Sequence, residues 1–458
     1  MKPILPFKIV VIILFTSCLT ITAQEDNNTI MTVFVHGTVR PPKLTFASLI
    51  RIMRDKIDNS LYSLAAQYIR NDPVFYQGQA MQGLGLQKID LSFNSPHTTA
   101  QTIAMMYNLQ NEHLGIEAQK QLYYTFGWSG LLSDSKRLAE AETLYKELQT
   151  ELANLAQQSI YPKIRIVAYS HGGNLVLYLP TVKNNNPLYA THSFAIDELI
   201  TLATPIQTLT DYLVTDDIFK KVYHLYSTED NVQIWDFMSS QQFFSKRRFT
   251  QRKEFALPKK IQQIRVRMTK KVRWKHTIQD SIEPYQILEQ PRVRLIHKDP
   301  GHTEMWTFKW AAYWYRDNFP LKPLPIMTLI PTIVHTVNQG PPLDHLTFDY
   351  APGENSILLH HKKAKPFKQT YPYLTADLQK SLWQLAKQYR PANYSIETQE
   401  ERIALALQKA RDDLLKIRKY RRPHSRTLAS YIERINSGYF DSLPEIKKRN
   451  TIYLAQAH

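Results

Sequence analysis

Ser170 lies in a sequence pattern that suits a nucleophilic serine. The segment Ala168–Gly173 reads Ala-Tyr-Ser-His-Gly-Gly, and it follows a β-branched run and precedes an apolar segment of helical character. A serine between a strand and a helix lies on a sharp turn that exposes its hydroxyl, and the turn needs very small neighbours. Gly172 and Gly173 meet that need, whereas Ala168 stands where the pattern usually has glycine. We predict a nucleophile at Ser170, with an ordinary strand-to-helix turn as the alternative.

Segments typical of strands and of helices alternate on both sides of Ser170. The predicted strands are Met31–His36, Leu122–Phe126, Ile164–Ala168, Glu198–Ala203 and Val222–Tyr226. The predicted helices are Leu49–Ile69, Thr98–Leu114, Asp134–Gln158 and Gly172–Leu179, the last of which we expect to end at Pro180. Strands separated by helices imply right-handed crossovers and a mostly parallel sheet. The predicted fold class is therefore α/β.

The chain resembles the α/β-hydrolase superfamily over about residues 31–310, and most closely its lipase and esterase members. The resemblance rests on the Ser170 pattern, on the turn His36–Thr38 after a strand, on Asp230-x-Val232 after another strand, and on the loop pair Gly301–His302. Serine, acid and histidine occur in the chain order of that family. The resemblance implies an α/β-hydrolase core, with a mostly parallel sheet flanked by helices.

The resemblance also implies a role for each residue of the site. Ser170 would be the nucleophile, His302 the general base and acid, and Asp230 the carboxylate that orients the histidine. The backbone N–H groups of Thr38 and His171 would form the oxyanion hole. No cofactor is implied, and no pair of histidines has a spacing that indicates a metal site.

The acid and the base each have alternative candidates in the sequence. Glu229 could replace Asp230 as the acid, and Asp236 is a more distant candidate. His297 could replace His302 as the base, although it follows a strand-like run without an intervening loop.

By this resemblance we expect an exported serine hydrolase that cleaves carboxylic esters, with lipid or acyl esters as the substrates. Residues 39–97 form a candidate cap insertion, whose apolar side chains could line an acyl pocket or could pack as an ordinary helical layer. The alternative of another class is a non-catalytic exported binding protein on a hydrolase scaffold, acting at anionic surfaces. The oligomeric state stays open.

The charge and the first residues bear on the location of the protein. The chain has 458 residues, with 57 Lys and Arg against 40 Asp and Glu, a net charge of +17. That balance favours anionic partners such as phospholipid headgroups at a membrane surface or acidic polymers, with a solvated basic surface as the alternative. The absence of a recognisable nucleic-acid module argues against nucleic acid. Residues 1–23 have the basic start, apolar run and small-residue end of a signal peptide. Lipidation of Cys18, or an uncleaved anchor, would instead retain the protein at a membrane.

Two further segments differ from the catalytic domain predicted over residues 24–320. Within it, residues 246–278 form a basic insertion, in which Ile264–Met268 and Val272–Lys275 are predicted to pair as a hairpin with a cationic face. Residues 321–458 are predicted as a mostly helical C-terminal extension, after a proline-rich stretch. In that extension, an apolar stripe predicts a helix that packs on the body of the protein. The stripe consists of Ile403, Leu407, Ala410, Leu414 and Ile417.

Overall fold

The computed structural model describes residues 28–39, 57–58, 60–92, 97–116, 119–191, 193–233, 245–253, 256–274, 292–311, 315–340, 345–352, 356–361, 369–371, 373–389 and 396–421. The predicted signal peptide, residues 1–23, lies outside these ranges, as does Asp236. Within the described ranges, no helix is both long and apolar enough to span a membrane.

Strands and helices alternate through the first half of the chain. The strands are β1 (Thr29–Val35), β2 (Gly85–Lys88), β3 (Lys120–Gly127), β4 (Lys163–Tyr169), β5 (Ile196–Leu202), β6 (Phe219–Tyr226), β7 (Ile261–Trp274), β8 (Arg292–Lys298), β9 (His345–Ala351), β10 (Ser356–His360) and β11 (Gln369–Tyr371). The helices are α1 (Leu61–Arg70), α2 (Thr99–His113), α3 (Asp134–Gln157), α4 (His171–Leu177), α5 (Leu179–Asn185), α6 (Pro187–Thr191), α7 (Ile330–Gln339), α8 (Ala376–Tyr389) and α9 (Ile396–Arg421).

The eleven strands of the described residues form one mixed sheet in the order β11-β10-β9-β7-β6-β5-β4-β1-β3-β2, with β8 paired to β7. Every neighbouring pair in the series β9-β7-β6-β5-β4-β1-β3 is parallel. Antiparallel pairing is confined to β2, β8, β10 and β11. The α/β class and the mostly parallel sheet are therefore confirmed.

Two hydrophobic cores lie on the two faces of the sheet, as the period-two pattern of its strands requires. On β1, Met31, Val33 and Val35 contribute to the core that contains α3, α4 and α5, whereas Phe34 contributes to the core that contains α2, α7 and α8. Because helices cover both faces, the parallel strands are buried and their carboxyl ends carry the loops that are available for function.

The hairpin predicted within 264–275 is wrong. Residues 261–274 form one continuous strand, β7, and its antiparallel partner is β8. The hydroxyl of Thr269, at the start of the predicted turn, donates to Asp349 of neighbouring β9 at 2.6 Å. The segment Thr269–Lys271 contains no glycine, asparagine or proline, so it lacks the residues that a tight turn requires.

Two other predictions also differ from the structure. Pro180 does not close the helical region; it lies in the first turn of α5, where a missing N–H costs nothing. The boundary predicted near residue 320 does not separate the sheet, because β9, β10 and β11 continue it. The proline-rich stretch after this boundary is itself packed, with Leu321, Leu324 and Ile326 buried.

Candidate active site

Ser170 occupies a strained turn between β4 and α4. Its backbone has φ +51° and ψ −127°, a conformation that non-glycine residues rarely adopt. The Ser170 N–H donates to the carbonyl of Leu202 on β5 at 2.9 Å, and the Ser170 carbonyl accepts from Gly173 at 3.0 Å. The surrounding hydrogen bonds thus hold the turn that carries the hydroxyl.

The two glycines after Ser170 are required by close packing. A Cβ atom on Gly172 would lie 2.3 Å from the carbonyl oxygen of His36, and one on Gly173 would lie 2.1 Å from the hydroxyl of Thr204. Any larger residue would push α4 away from β1 and from the end of β5. Ala168, where the pattern usually has glycine, is buried in the core on the α3 side, so its methyl group is accommodated.

The structure brings Ser170, His302 and Asp230 together in one hydrogen-bonded chain. His302 Nε2 is 3.1 Å from Ser170 Oγ, and His302 Nδ1 is 2.8 Å from Asp230 Oδ2. Asp230 is fully buried, and its other oxygen accepts from the N–H of Gln233 at 3.3 Å. This geometry allows a proton to pass from the serine to the imidazole while the carboxylate fixes the ring.

The alternative residues do not join this chain. Glu229 forms an ion pair with Arg316. His297 lies on β8 with its Nδ1 2.8 Å from the hydroxyl of Thr269. Among the residues described, Asp230 and His302 are therefore the acid and the histidine that the fold places beside Ser170.

Tyr169 and Trp306 hold the histidine loop, and neither was given a role from the sequence. The Tyr169 hydroxyl donates to the His302 carbonyl at 3.0 Å, and the Tyr169 and His302 rings are 4.9 Å apart. Trp306 stacks on Tyr169 with ring centroids 5.2 Å apart. Burial raises the pKa of the Tyr169 hydroxyl, so it remains a donor. The position of Tyr169 directly before Ser170 is the feature of the sequence from which its role could have been predicted.

The turn that contains Thr38 lies directly against Ser170. A Cβ atom on Gly37 would be 2.9 Å from Ser170 Cβ and 2.8 Å from the Tyr169 ring, so only glycine fits there. Thr38 is the next residue along this turn, and His171 is the first residue of α4. The two residues predicted to supply oxyanion N–H groups are thus on the two backbone segments that meet at the serine.

His36 fixes this turn through two contacts with Trp128. The His36 carbonyl accepts from the Trp128 indole at 2.7 Å, and His36 Nε2 accepts from the Trp128 backbone N–H at 3.1 Å. Burial lowers the pKa of His36, and the cation of Arg70 lowers it further, so the ring is neutral. Val39 donates to the carbonyl of Gly130 at 3.0 Å, which closes the other end of the turn.

The described part of the candidate cap insertion is a packed helical layer. Leu61 and Tyr68 of α1 pack against α9, and Phe75 packs with Val39 and Ile69. A depression of about 460 Å³ opens between residues 88–92 and 121–123, and none of the predicted site residues lines it. The apolar residues Leu49, Ile50 and Met53 of the insertion lie outside the described residues, so the acyl pocket and the helical layer both stay predictions.

No group of three or more His, Cys, Asp or Glu side chains within the described ranges is arranged to hold a metal ion. The side chains that converge on Ser170 are instead those of a proton-transfer chain, His302 and Asp230.

The comparisons with known proteins add little to this geometry. No family model matches the chain, and no curated protein matches it. Among solved structures, the chain is similar to a putative cell surface hydrolase from Lactobacillus plantarum WCFS1, with 14% identity over 44% of this chain and 70% of that one. The TM-score of this match is 0.20, a value that supports no conclusion about fold or activity.

Proposed function

We propose that this protein is an exported serine hydrolase of the α/β-hydrolase type that cleaves carboxylic esters through an acyl-enzyme. The observation that carries the proposal is the chain Ser170–His302–Asp230, with separations of 3.1 and 2.8 Å, on a strained turn after a central parallel strand. A serine hydroxyl is a weak nucleophile, and an adjacent imidazole held by a carboxylate is the arrangement that activates it.

Each residue has one task in the proposed reaction. His302 takes the proton of Ser170 as the hydroxyl attacks the ester carbonyl, and then gives it to the leaving alcohol. Asp230 keeps the imidazole in the required tautomer and stabilises the imidazolium. The N–H groups of Thr38 and His171 stabilise the oxyanion, for which one donor typically contributes about 3–4 kcal/mol. Water then hydrolyses the acyl-enzyme by the same steps.

We assign lipid or acyl esters at an anionic membrane surface as the substrate, because apolar and basic side chains are exposed near the acid loop. Arg247 donates to the carbonyl of Asp230, and Lys246 pairs with the backbone of Ile206, so the segment 245–253 connects two loops. Exposed apolar residues on these loops are Leu209, Tyr212 and Val232, and exposed basic residues beside them are Lys246 and Arg248. Such a rim suits contact with anionic headgroups.

The decisive experiment is labelling with a fluorophosphonate together with hydrolysis of p-nitrophenyl esters. We expect the wild type to be labelled and Ser170→Ala to lose labelling, with kcat/KM reduced by at least about 10³-fold. Ser129→Ala is the matched control, since Ser129 precedes Gly130 on the neighbouring loop and should leave labelling intact. A folded wild type that is neither labelled nor active would favour a non-catalytic binding protein.

The substrate and the location need separate measurements. A series of p-nitrophenyl esters of increasing chain length, presented in neutral and in anionic vesicles, should show faster hydrolysis of long chains on the anionic vesicles. Equal rates on both vesicles would contradict the proposal that the enzyme acts at an anionic membrane surface.

Mass spectrometry of the N-terminus after expression in cells should find cleavage after Ala23. An intact N-terminus would contradict the predicted signal peptide.

A further inference from the structure

Asp230 and His302 reach the site from two separate loops. The acid loop, residues 227–233, follows β6, and the base loop, residues 299–306, follows β8. A first connection between them runs through Asp299, whose Oδ2 accepts from the N–H of Thr228 at 3.3 Å and from its hydroxyl at 2.5 Å. Arg265 of β7 donates to the same oxygen at 2.8 Å. Asp299 thus fixes the start of the base loop against the start of the acid loop.

Arg316 makes the second connection, and it comes from neither loop. Its Nε donates to Glu304 at 2.8 Å, another guanidinium nitrogen donates to the carbonyl of Asp299 at 2.5 Å, and a third forms the ion pair with Glu229. One planar guanidinium therefore contacts both the acid loop and the base loop.

Glu304 completes the connection from inside the base loop. One of its oxygens accepts from the backbone N–H of Gly301 at 2.7 Å, and the other accepts from the backbone N–H of Arg316 at 2.9 Å. Gly301 directly precedes His302, so this carboxylate braces the turn that presents the imidazole. Glu304 is only 1% exposed, which removes water as a substitute partner.

The guanidinium of Arg316 keeps its charge although it is partly buried. Burial lowers the pKa of Arg316, but its hydrogen bonds and charge contacts with Glu304 and Glu229 raise that pKa by more. The guanidinium also lies 5.7 Å from the Phe319 ring centroid, which limits its movement.

We propose that Arg316, held by Glu304, is a positioning residue that sets the distance between His302 and Asp230 and aims the imidazole at Ser170. The proposal rests on the proposed function. Arg316 touches no reacting atom in this arrangement; it acts through the backbone of Gly301 and through Glu229. Displacement of a catalytic group by about 1 Å can cost about 100-fold in rate.

The test compares Arg316→Met, Arg316→Lys and Glu304→Gln with the control Arg165→Met. Arg165 forms a similar ion pair with Glu198 at 2.6 Å, but it lies on β4, five residues before Ser170. kcat and KM for a p-nitrophenyl ester, and the rate of fluorophosphonate labelling, are measured per folded molecule, with the folded fraction taken from gel filtration and circular dichroism.

We expect Arg316→Met and Glu304→Gln to lower kcat by about 10- to 100-fold, with KM changed by less than about threefold, because the alignment and not the substrate contact is lost. Arg316→Lys should recover part of kcat, since it keeps the charge but not the planar contacts. Arg165→Met should stay within about twofold of wild type. If Arg316→Met does not fold, Glu304→Gln and Arg316→Lys decide the question.

The proposal is overturned if kcat of these variants, per folded molecule, equals that of Arg165→Met, or if KM rises while kcat is unchanged. In either case the wild type would still hydrolyse esters and be labelled at Ser170, so the proposed function would survive. A wild type without activity or labelling would overturn both.

Discussion

Glu229 and Asp230 are neighbours on one loop, yet their carboxylates reach different partners. Asp230 contacts His302, and Glu229 contacts Arg316. The sequence predicted that an acid follows β6, but it could not distinguish adjacent residues, because the backbone torsions of an irregular loop decide which side chain faces the histidine. Arg316 carried no signal at all, since it lies outside any motif and acts only through the folded contacts.

We predict that Asp230→Asn and Glu229→Gln differ strongly in activity. The amide at position 230 would leave the imidazole in the wrong tautomer and should lower kcat by about 10⁴-fold. Glu229→Gln removes one of the carboxylates that Arg316 contacts and should lower kcat by less than about tenfold. Steady-state kinetics on p-nitrophenyl esters measure both.

The comparison contains its own control, because both variants replace a carboxylate by its isosteric amide on the same loop. A larger loss for Glu229→Gln than for Asp230→Asn would show that the acid has been assigned to the wrong residue.

Among the elements, the parallel strands are predicted well by the periodicity of their sequences, whereas the pairing of β7 is not. The strands β1, β3, β4, β5 and β6 agree with their sequence predictions within a few residues, because buried parallel strands are β-branched runs bounded by turn residues. β7 was misread as a hairpin, since its alternation of apolar and basic residues is the same in one long strand as in two short ones. The pairing of β7 with β8 and β9 shows that it is one long strand. Such pairing depends on the folded chain and cannot be derived from the local sequence.

The apolar stripe of the C-terminal helix was predicted to pack on the body of the protein, and it does so on α1. Ala410 is fully buried against Leu64 and Ala65, and Leu407 and Leu414 pack beside it. Ala406 on the same helix lies with Val39, the residue after Thr38. α9 therefore contributes to the layer that supports the turn beside Ser170.

We predict that Ala410→Asp releases α9 from α1. A carboxylate at this buried position has no partner, and undocking is cheaper than burying it. Hydrogen exchange measured by mass spectrometry should show faster exchange in α1 and α9, with little change in β4 and β5. Leu415→Asp is the control on the same helix, because Leu415 is 63% exposed. Unchanged exchange in Ala410→Asp would contradict the packing of α9 on α1.

At the scale of the whole molecule, the alternation of strands and helices predicted a mostly parallel α/β sheet, but not its extent. β9, β10 and β11 follow a proline-rich stretch that is typical of a linker, and they nevertheless continue the sheet beyond β7. β10 and β11 pair with their neighbours along the chain, whereas β9 joins them to the sheet through β7, with Gln263 opposite His345. Because that one link is distant in sequence, local composition does not reveal it.

We predict that the protein loses stability as the pH falls from about 6.5 to 4, in part through His224. Burial lowers the pKa of His224 to about 4, whereas the unfolded chain binds this proton near pH 6.5. In this window only the unfolded state is protonated, so the free energy of unfolding falls by about 1.4 kcal/mol per pH unit for this group. Urea unfolding at several pH values measures the slope.

His224→Gln should reduce that slope even if it lowers the stability at neutral pH, because glutamine does not titrate. His97→Gln replaces an exposed histidine and serves as the control. An unchanged slope in His224→Gln would show that other groups cause the acid sensitivity.

The position of β7 between β6 and β9 has a consequence for biosynthesis. Gln263 of β7 pairs with His345 of β9, 82 residues later in the chain. During translation Ser170, Asp230 and His302 therefore leave the ribosome before β9, the parallel partner of β7 on one edge. Contacts of such long sequence separation form slowly, and an unpaired strand edge can join a strand of another chain. A nascent chain that pauses before residue 345 thus carries Ser170, Asp230 and His302, the proposed catalytic residues, on an unfinished sheet.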